Sequence, residues 1–183
     1  MKNNRITLRF AVVTAIVLTL TFSRLLPHPF NFSPLAALAL FGGAHYAKRR
    51  TAYLIPIIAL WMSDLFLNYT FYGNFVPFYP GAVFTYASFA LIVLLGSLTL
   101  NNLSPRNLFF TSLSASVVFF IVSNLGVWIS GSIYPINAQG FVACYTAAIP
   151  FFRNTLAGDL IYSFVVFYGF AIAQSRLPRL RTA

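Results

Sequence analysis

The sequence has very few acidic residues. Asp64 and Asp159 are the two acids among 183 residues, glutamate is absent, and twelve lysines and arginines give a net charge of +10. Charged residues make up 8% of the chain, against about a quarter in a typical soluble domain, so a soluble domain is excluded. The basic residues stand singly or in threes between apolar runs instead of forming a polar stripe, so we expect no nucleic acid partner.

Cysteine and histidine are also scarce, and this excludes several chemistries. A single cysteine, Cys144, cannot form an intramolecular disulfide, and without glutamate no HExxH zinc motif is possible. His28 and His45 are expected near opposite faces of the membrane, where they could not share a metal. No serine stands in a GxSxG elbow, and neither a phosphate loop nor a dinucleotide fingerprint is present. We therefore expect no enzyme activity, no cofactor and no metal.

The sequence is rich in apolar runs: 59% of its residues are hydrophobic and 18% are aromatic. A helix needs about 20 apolar residues to cross some 30 Å of hydrocarbon. The predicted fold is therefore all-α, a polytopic membrane bundle of six transmembrane helices that forms one domain over residues 1–183, with the second helix unusually short. The predicted spans are residues 8–26, 34–47, 51–72, 82–100, 108–131 and 154–174.

The distribution of basic residues predicts the orientation of these spans. Ten of the twelve fall in the N-terminus, the second loop, the fourth loop and the C-terminus, whereas Arg24 and Arg153 fall on the other side. Because loops rich in lysine and arginine stay in the cytoplasm, both termini are expected to be cytoplasmic. The predicted location is the bacterial cytoplasmic (inner) membrane, as a multi-pass protein.

The longer connections are expected on the outer side. They are residues 24–31, 71–81 and 131–154. The last is longer than about 15 residues, a length at which a loop often has a binding or covering role. Since it is apolar and aromatic, we expect it to fold over the bundle as a lid, with Asn154 as the N-cap of the sixth helix.

Asp64 and Asp159 are predicted to lie within the membrane, close to its outer side. An acid there costs about 2.5–3.5 kcal/mol, so it is usually paired or functional. One interpretation is that the acids form structural ion pairs with Arg24 and Arg153. The other is that the two acids, with Arg24 and Arg153, line an outward-facing pocket for a small molecule. Other candidate ligand-binding residues are two on the helical face of Asp64 and four in the outer segments: Trp61 and Asn68, with His28, Tyr79, Tyr134 and Tyr145. The tyrosines also suit an aromatic belt at the membrane surface.

Several segments resemble a known family. An A-x-x-x-A pattern at Ala11 and Ala15 offers a smooth helix surface, and the segments 24–44 (RLLPHPFNFSPLAALALFGGA), 63–68 (SDLFLN) and 134–162 are distinctive. With the six-span layout, they resemble the S component of energy-coupling factor (ECF) vitamin transporters. More narrowly, they resemble a family of uncharacterised bacterial membrane proteins that are thought to be S-component-like.

The resemblance implies a function in uptake. S components bind a vitamin or related micronutrient from the outer side, through loops one, three and five. Their alanine motif, here Ala11 and Ala15, packs against a transmembrane T component that is driven by two cytoplasmic ATPases. The alternative is a non-catalytic membrane scaffold or assembly protein, in which the acids are ion pairs and the alanines contact a partner.

Overall fold

All regular secondary structure is helical in the part of the chain that the structure describes. In a computed structural model, residues 2–181 are described, with side chains for residues 8–71 and 73–181. This part contains six α-helices, a short 3-10 helix at Pro178–Leu180 and no strand. The α-helices are α1 (Lys2–Ser23), α2 (Leu35–His45), α3 (Arg49–Tyr72), α4 (Ala82–Thr99), α5 (Pro105–Ile129) and α6 (Ala138–Arg176).

The all-α, multi-helix prediction is confirmed. Among the described residues, α3, α4, α5 and α6 are long and apolar enough to cross a membrane. The apolar part of α1, Leu8–Ser23, is shorter, and so is α2, whose 11 residues span about 17 Å. Four long apolar helices mark the chain as a membrane protein, and α2 is shorter still than the predicted span of residues 34–47.

The short helix α2 forms the centre of the bundle. Its residues from Ala36 to Gly43 are all buried, and it contacts each of the five other helices. A helix that is apolar on every side belongs inside a bundle. Glycines bring α4 close to it, because a Cβ on Gly96 would lie 2.5 Å from the Leu40 carbonyl oxygen and one on Gly43 would collide with the Val93 carbonyl.

The segment 131–154 is not the lid that its sequence suggested. Helix α6 begins at Ala138 and runs for 39 residues, about 58 Å, so the connection to α5 is short and residues 138–153 are helical. The Asn137 side chain caps the helix by accepting from Gly140 N at 2.8 Å. Pro150 lies inside the helix, where it removes one backbone hydrogen bond without ending it. Asn154 is therefore an interior residue of α6 and not an N-cap.

The first part of α6 packs along α5 through aromatic side chains. The ring of Phe141 lies 5.3 Å from that of Trp128, and the Phe120 ring lies 5.7 Å from Tyr145 and 4.8 Å from Phe152. Edge and tilted ring contacts of this kind stabilise a helix pair beyond the apolar area that they bury. Helices α5 and α6 therefore form a packed antiparallel pair on one side of the bundle.

The opposite end of the bundle holds the two ends of the chain together. Arg9 on α1 donates to the Leu180 carbonyl at 2.7 Å and to the His45 carbonyl, at the end of α2, at 3.3 Å. The Leu180 side chain is buried in the same place. The ends of α1, α2 and α6 therefore meet here, which leaves the loop between α1 and α2 at the other end.

Candidate functional site

A cavity of about 510 Å³ lies at the end of the bundle away from Arg9; we call it the main cavity. Its size falls within the roughly 300–1,000 Å³ of typical small-molecule sites. The loop between α1 and α2, the last turns of α3, the start of α4, and the middles of α5 and α6 form its wall. Five of the ten candidate ligand-binding residues line it: Arg24, His28, Asp64, Tyr79 and Asp159.

The Asp64 carboxylate belongs to a hydrogen-bonded cluster at the edge of the main cavity. Arg24 Nη1 lies 3.0 Å from Asp64 Oδ1, and the two side chains are 12% and 8% exposed. The same nitrogen donates to Ser63 Oγ at 2.7 Å, and the Tyr86 hydroxyl donates to Asp64 Oδ2 at 3.0 Å. The pairing of Asp64 with Arg24 is thus present, and the pair also faces the cavity. Both carboxylate oxygens have a donor, which offsets the cost of burying the charge.

Asp159 has a different set of partners. Its Oδ1 accepts from the backbone N–H of Ala36 at 3.0 Å, and its Oδ2 accepts from Ser116 Oγ at 2.7 Å. Ala36 lies in the first turn of α2, whose own N-cap, Pro34, provides no side-chain hydrogen bond. Asp159 therefore caps α2 from another helix, and a carboxylate at a helix N-terminus is also favoured by the helix dipole.

The expected pairing of Asp159 with Arg153 does not form. Within the described residues, the recorded ion pair is that of Arg24 with Asp64. Arg153 is exposed on α6, six residues before Asp159, and does not line the main cavity. Positions six apart on a helix point in very different directions at about 100° per residue, so the two side chains diverge.

The loop between α1 and α2 is fixed to α6 next to Asp159. Asn154 Nδ2 donates to the Phe30 carbonyl at 2.9 Å, and the Phe32 ring lies 5.7 Å from that of Tyr162. Between these contacts the loop crosses Gly158, where a Cβ would come within 3.1 Å of Ser33 N. Two of the distinctive segments, 24–44 and 134–162, therefore contact each other, and their join forms a wall of the main cavity.

The remaining candidates lie elsewhere. Trp61 and Asn68 are outside the wall of the main cavity, and Asn68 Nδ2 instead donates to the Val76 carbonyl at 2.9 Å. The Tyr145 hydroxyl donates to the Ile121 carbonyl at 2.7 Å, which ties α6 to α5. Tyr134 lines a different cavity. A shared helical face with Asp64 was therefore not enough to bring Trp61 and Asn68 to the site.

The different cavity, which we call the side cavity, measures about 250 Å³ and lies between α5 and the first half of α6. Both cavities are lined by Asn31, Phe119 and Thr155, so they adjoin. Sequence reasoning missed these three residues and also Tyr86 and Ser116. Nothing in a single sequence shows which faces of distant helices meet. The other residues lining the side cavity include Phe120, Asn124, Tyr134, Cys144, Ala147, Ala148, Phe151 and Phe152.

Ala11 and Ala15 lie on the outside of the bundle. Both are exposed on α1, and Leu18 and Phe22 continue the same surface, each 36% exposed. Small residues four apart let a second helix approach closely. The surface is therefore available to lipid or to a partner helix.

The comparison with known proteins gives a family and no substrate. No curated protein and no solved structure matches the chain. Residues 4–180 match a family described as "Family of unknown function (DUF6580)". This match covers both cavities and all six helices except the first two residues of α1. The chain therefore belongs to the DUF6580 family of unknown function.

Proposed function

We propose that this protein is a substrate-binding membrane subunit that captures a vitamin or similar micronutrient from the outer side for uptake. The observation that carries the proposal is the main cavity, of about 510 Å³, with Arg24, Asp64 and Asp159 in its wall. Charged groups inside an apolar membrane bundle usually mark a path or a site for a substrate. The resemblance to S components supports the same function.

The wall of the main cavity favours a partly apolar ligand with hydrogen-bonding groups. Apolar side chains such as Leu60, Leu67 and Phe119 provide most of its surface, although half of the twenty lining residues carry polar side chains. Because Arg24 and Asp64 neutralise each other, the pair can offer both a donor and an acceptor without a strong net charge. Polar groups in a mainly apolar cavity fix the orientation of a small molecule.

Mass spectrometry of small molecules released from the detergent-purified protein tests this proposal. Thr85→Trp places a large side chain in the main cavity, whereas Val83→Trp is a matched control because Val83 is 76% exposed and lines neither cavity. We expect a molecule that the wild type and Val83→Trp retain and Thr85→Trp loses. An empty wild type, purified from cells grown in rich medium, would contradict the proposal.

The direction of transport rests on the charge distribution, which favours an outward-facing main cavity and cytoplasmic termini in a bacterial inner membrane. Delivery of the ligand would then need a partner such as a T component with its ATPases, docked on Ala11 and Ala15. We expect Ala11→Leu with Ala15→Leu to abolish uptake and leave ligand retention unchanged. Ala157→Leu, at an exposed position on α6, is the control. Unchanged uptake in the double variant would show that this surface is not needed for uptake.

A membrane scaffold is the second candidate, and the partners of the acids favour it. Asp64 is paired with Arg24, and Asp159 caps α2, so both have structural roles without any ligand. A scaffold predicts an empty protein in the mass spectrometry experiment. It also predicts a copurifying protein that is lost when Ala11 and Ala15 are changed.

A further inference from the structure

We propose that the side cavity is the second half of the binding site and holds an apolar or aromatic group of the molecule whose polar part lies in the main cavity. This inference rests on the proposed function and specifies its ligand class: an elongated molecule with a polar head and a flat or short apolar arm.

Continuity between the two cavities is the first argument. Asn31, Phe119 and Thr155, from three separate parts of the chain, line both. Asn31 lies at this junction with a φ of 60°, a left-handed conformation that is uncommon outside glycine. The preceding residue, Phe30, is held by Asn154 through its carbonyl. The loop is therefore fixed in shape where the two cavities meet.

The residues of the side cavity suit an apolar ring. Cys144, Ala147 and Ala148 are spaced so that they share one face of α6, and their small side chains leave the space open. Phe120 and Phe152, whose rings lie 4.8 Å apart, form an aromatic wall on which a flat group can stack. Asn124 donates its side-chain N–H to the Phe120 carbonyl at 2.8 Å, and its amide oxygen lies at the same surface.

The volume of the side cavity argues against an independent site. About 250 Å³ is below the roughly 300–1,000 Å³ of typical small-molecule sites. As an extension of the main cavity it has room for one further ring or a short chain. The single occupant that accounts for both the shared walls and the small volume is an arm of the same molecule.

The first test fills the side cavity without changing the main one. Ala148 lines the side cavity and not the main cavity, whereas Ala157 is exposed on the same helix and lines neither cavity. We expect Ala148→Trp to bind the copurified molecule about tenfold more weakly than Ala157→Trp does, which is a loss of roughly 1.4 kcal/mol, and so to retain less of it on purification. Equal retention by the two variants would overturn the inference.

The second test measures access to the side cavity in the wild type, with Thr85→Trp as its control. Cys144 is the only thiol of the chain and lines the side cavity. The protein is first stripped of small molecules, and the released material is divided into an aqueous and a chloroform-soluble fraction. The rate at which iodoacetamide alkylates Cys144 is then measured after one or the other fraction has been added back. We expect protection by the aqueous fraction in the wild type, and none in Thr85→Trp, in which the main cavity is blocked.

The remaining outcomes overturn the inference in distinguishable ways. Protection by the chloroform fraction alone would mean that a lipid chain fills the side cavity. Protection by neither fraction, with a molecule that Thr85→Trp still loses, would leave the proposed function standing and confine the ligand to the main cavity. An empty wild type would remove the proposed function together with this inference.

Discussion

Replacing Asp159 by alanine tests how the short central helix α2 is held in place. The substitution removes the acceptor of the Ala36 N–H, and α2 has no side-chain cap of its own. Ala36 is 2% exposed and lines the main cavity, so water could reach its N–H only through that cavity. Losing an N-cap costs about 0.5–2 kcal/mol, and leaving a buried donor unpaired costs about 1–3 kcal/mol. The two ranges describe the same lost hydrogen bond and are not added, so we expect the free energy of unfolding to fall by about 2 kcal/mol.

The other hydrogen bond of Asp159 adds little to this figure. Ser116 Oγ lies 2.7 Å from Asp159 Oδ2 but also 3.1 Å from the Ser112 carbonyl, which can accept its proton instead. Asp159→Asn is the matched control, since the amide keeps an oxygen for Ala36 N. It replaces the acceptor of Ser116 by an NH2 donor and loses the interaction of the charge with the helix dipole, about 0.3–1 kcal/mol. The alanine variant should therefore be the less stable of the two.

The assay is reversible unfolding of the purified protein in mixed detergent micelles, followed by tryptophan fluorescence. Wild-type stability in Asp159→Ala would refute the capping role. Equal damage by asparagine and alanine would show that the charge, and not the acceptor, stabilises α2. In a folded Asp159→Asn protein, loss of the copurified molecule would further show that the carboxylate contacts the ligand.

Two further predictions concern packing in the same bundle. Arg24→Gln and Asp64→Asn should each lower the free energy of unfolding by about 3 kcal/mol, because each leaves a buried charge unpaired. The double variant should lose less than the sum of the two, and additive losses in a double-mutant cycle would contradict the pairing. Gly96→Ala should cost about 1–3 kcal/mol because its Cβ would collide with α2, whereas Gly169→Ala, with nothing nearby, should stabilise by about 0.5–1 kcal/mol. Similar thermal midpoints for the two glycine variants would contradict the close contact of α2 with α4.

The sequence predicted the helices better than their ends. Long apolar runs fix the number and approximate bounds of α3, α4 and α5, because hydrophobic length is a direct physical signal. The start of α6 was misplaced because residues 131–154 were interpreted as an outer loop that ended at Asn154, the expected N-cap. A proline removes one hydrogen bond, and the helix continues through it from the Asn137 cap, with Ala147 and Ala148 in the turn before the proline.

The candidate site was predictable only in part. Asp64 and Asp159 stand out because acids are rare in this chain, and Arg24 follows as an available partner. Tyr86 and Ser116, which donate to these acids, carry no such signal, since a tyrosine or serine in an apolar helix is common. Their roles depend on how the helices rotate against one another, and composition and periodicity do not determine that.

An experimental density map of the wild-type protein purified without added ligand tests the two-part binding site most directly. Non-protein density is expected in the main cavity, in contact with Arg24, Asp64 or Asp159 and reaching past Asn31 toward Cys144. A map that shows only water in the main cavity, from a preparation in which mass spectrometry finds a bound small molecule, would rule out a binding site there.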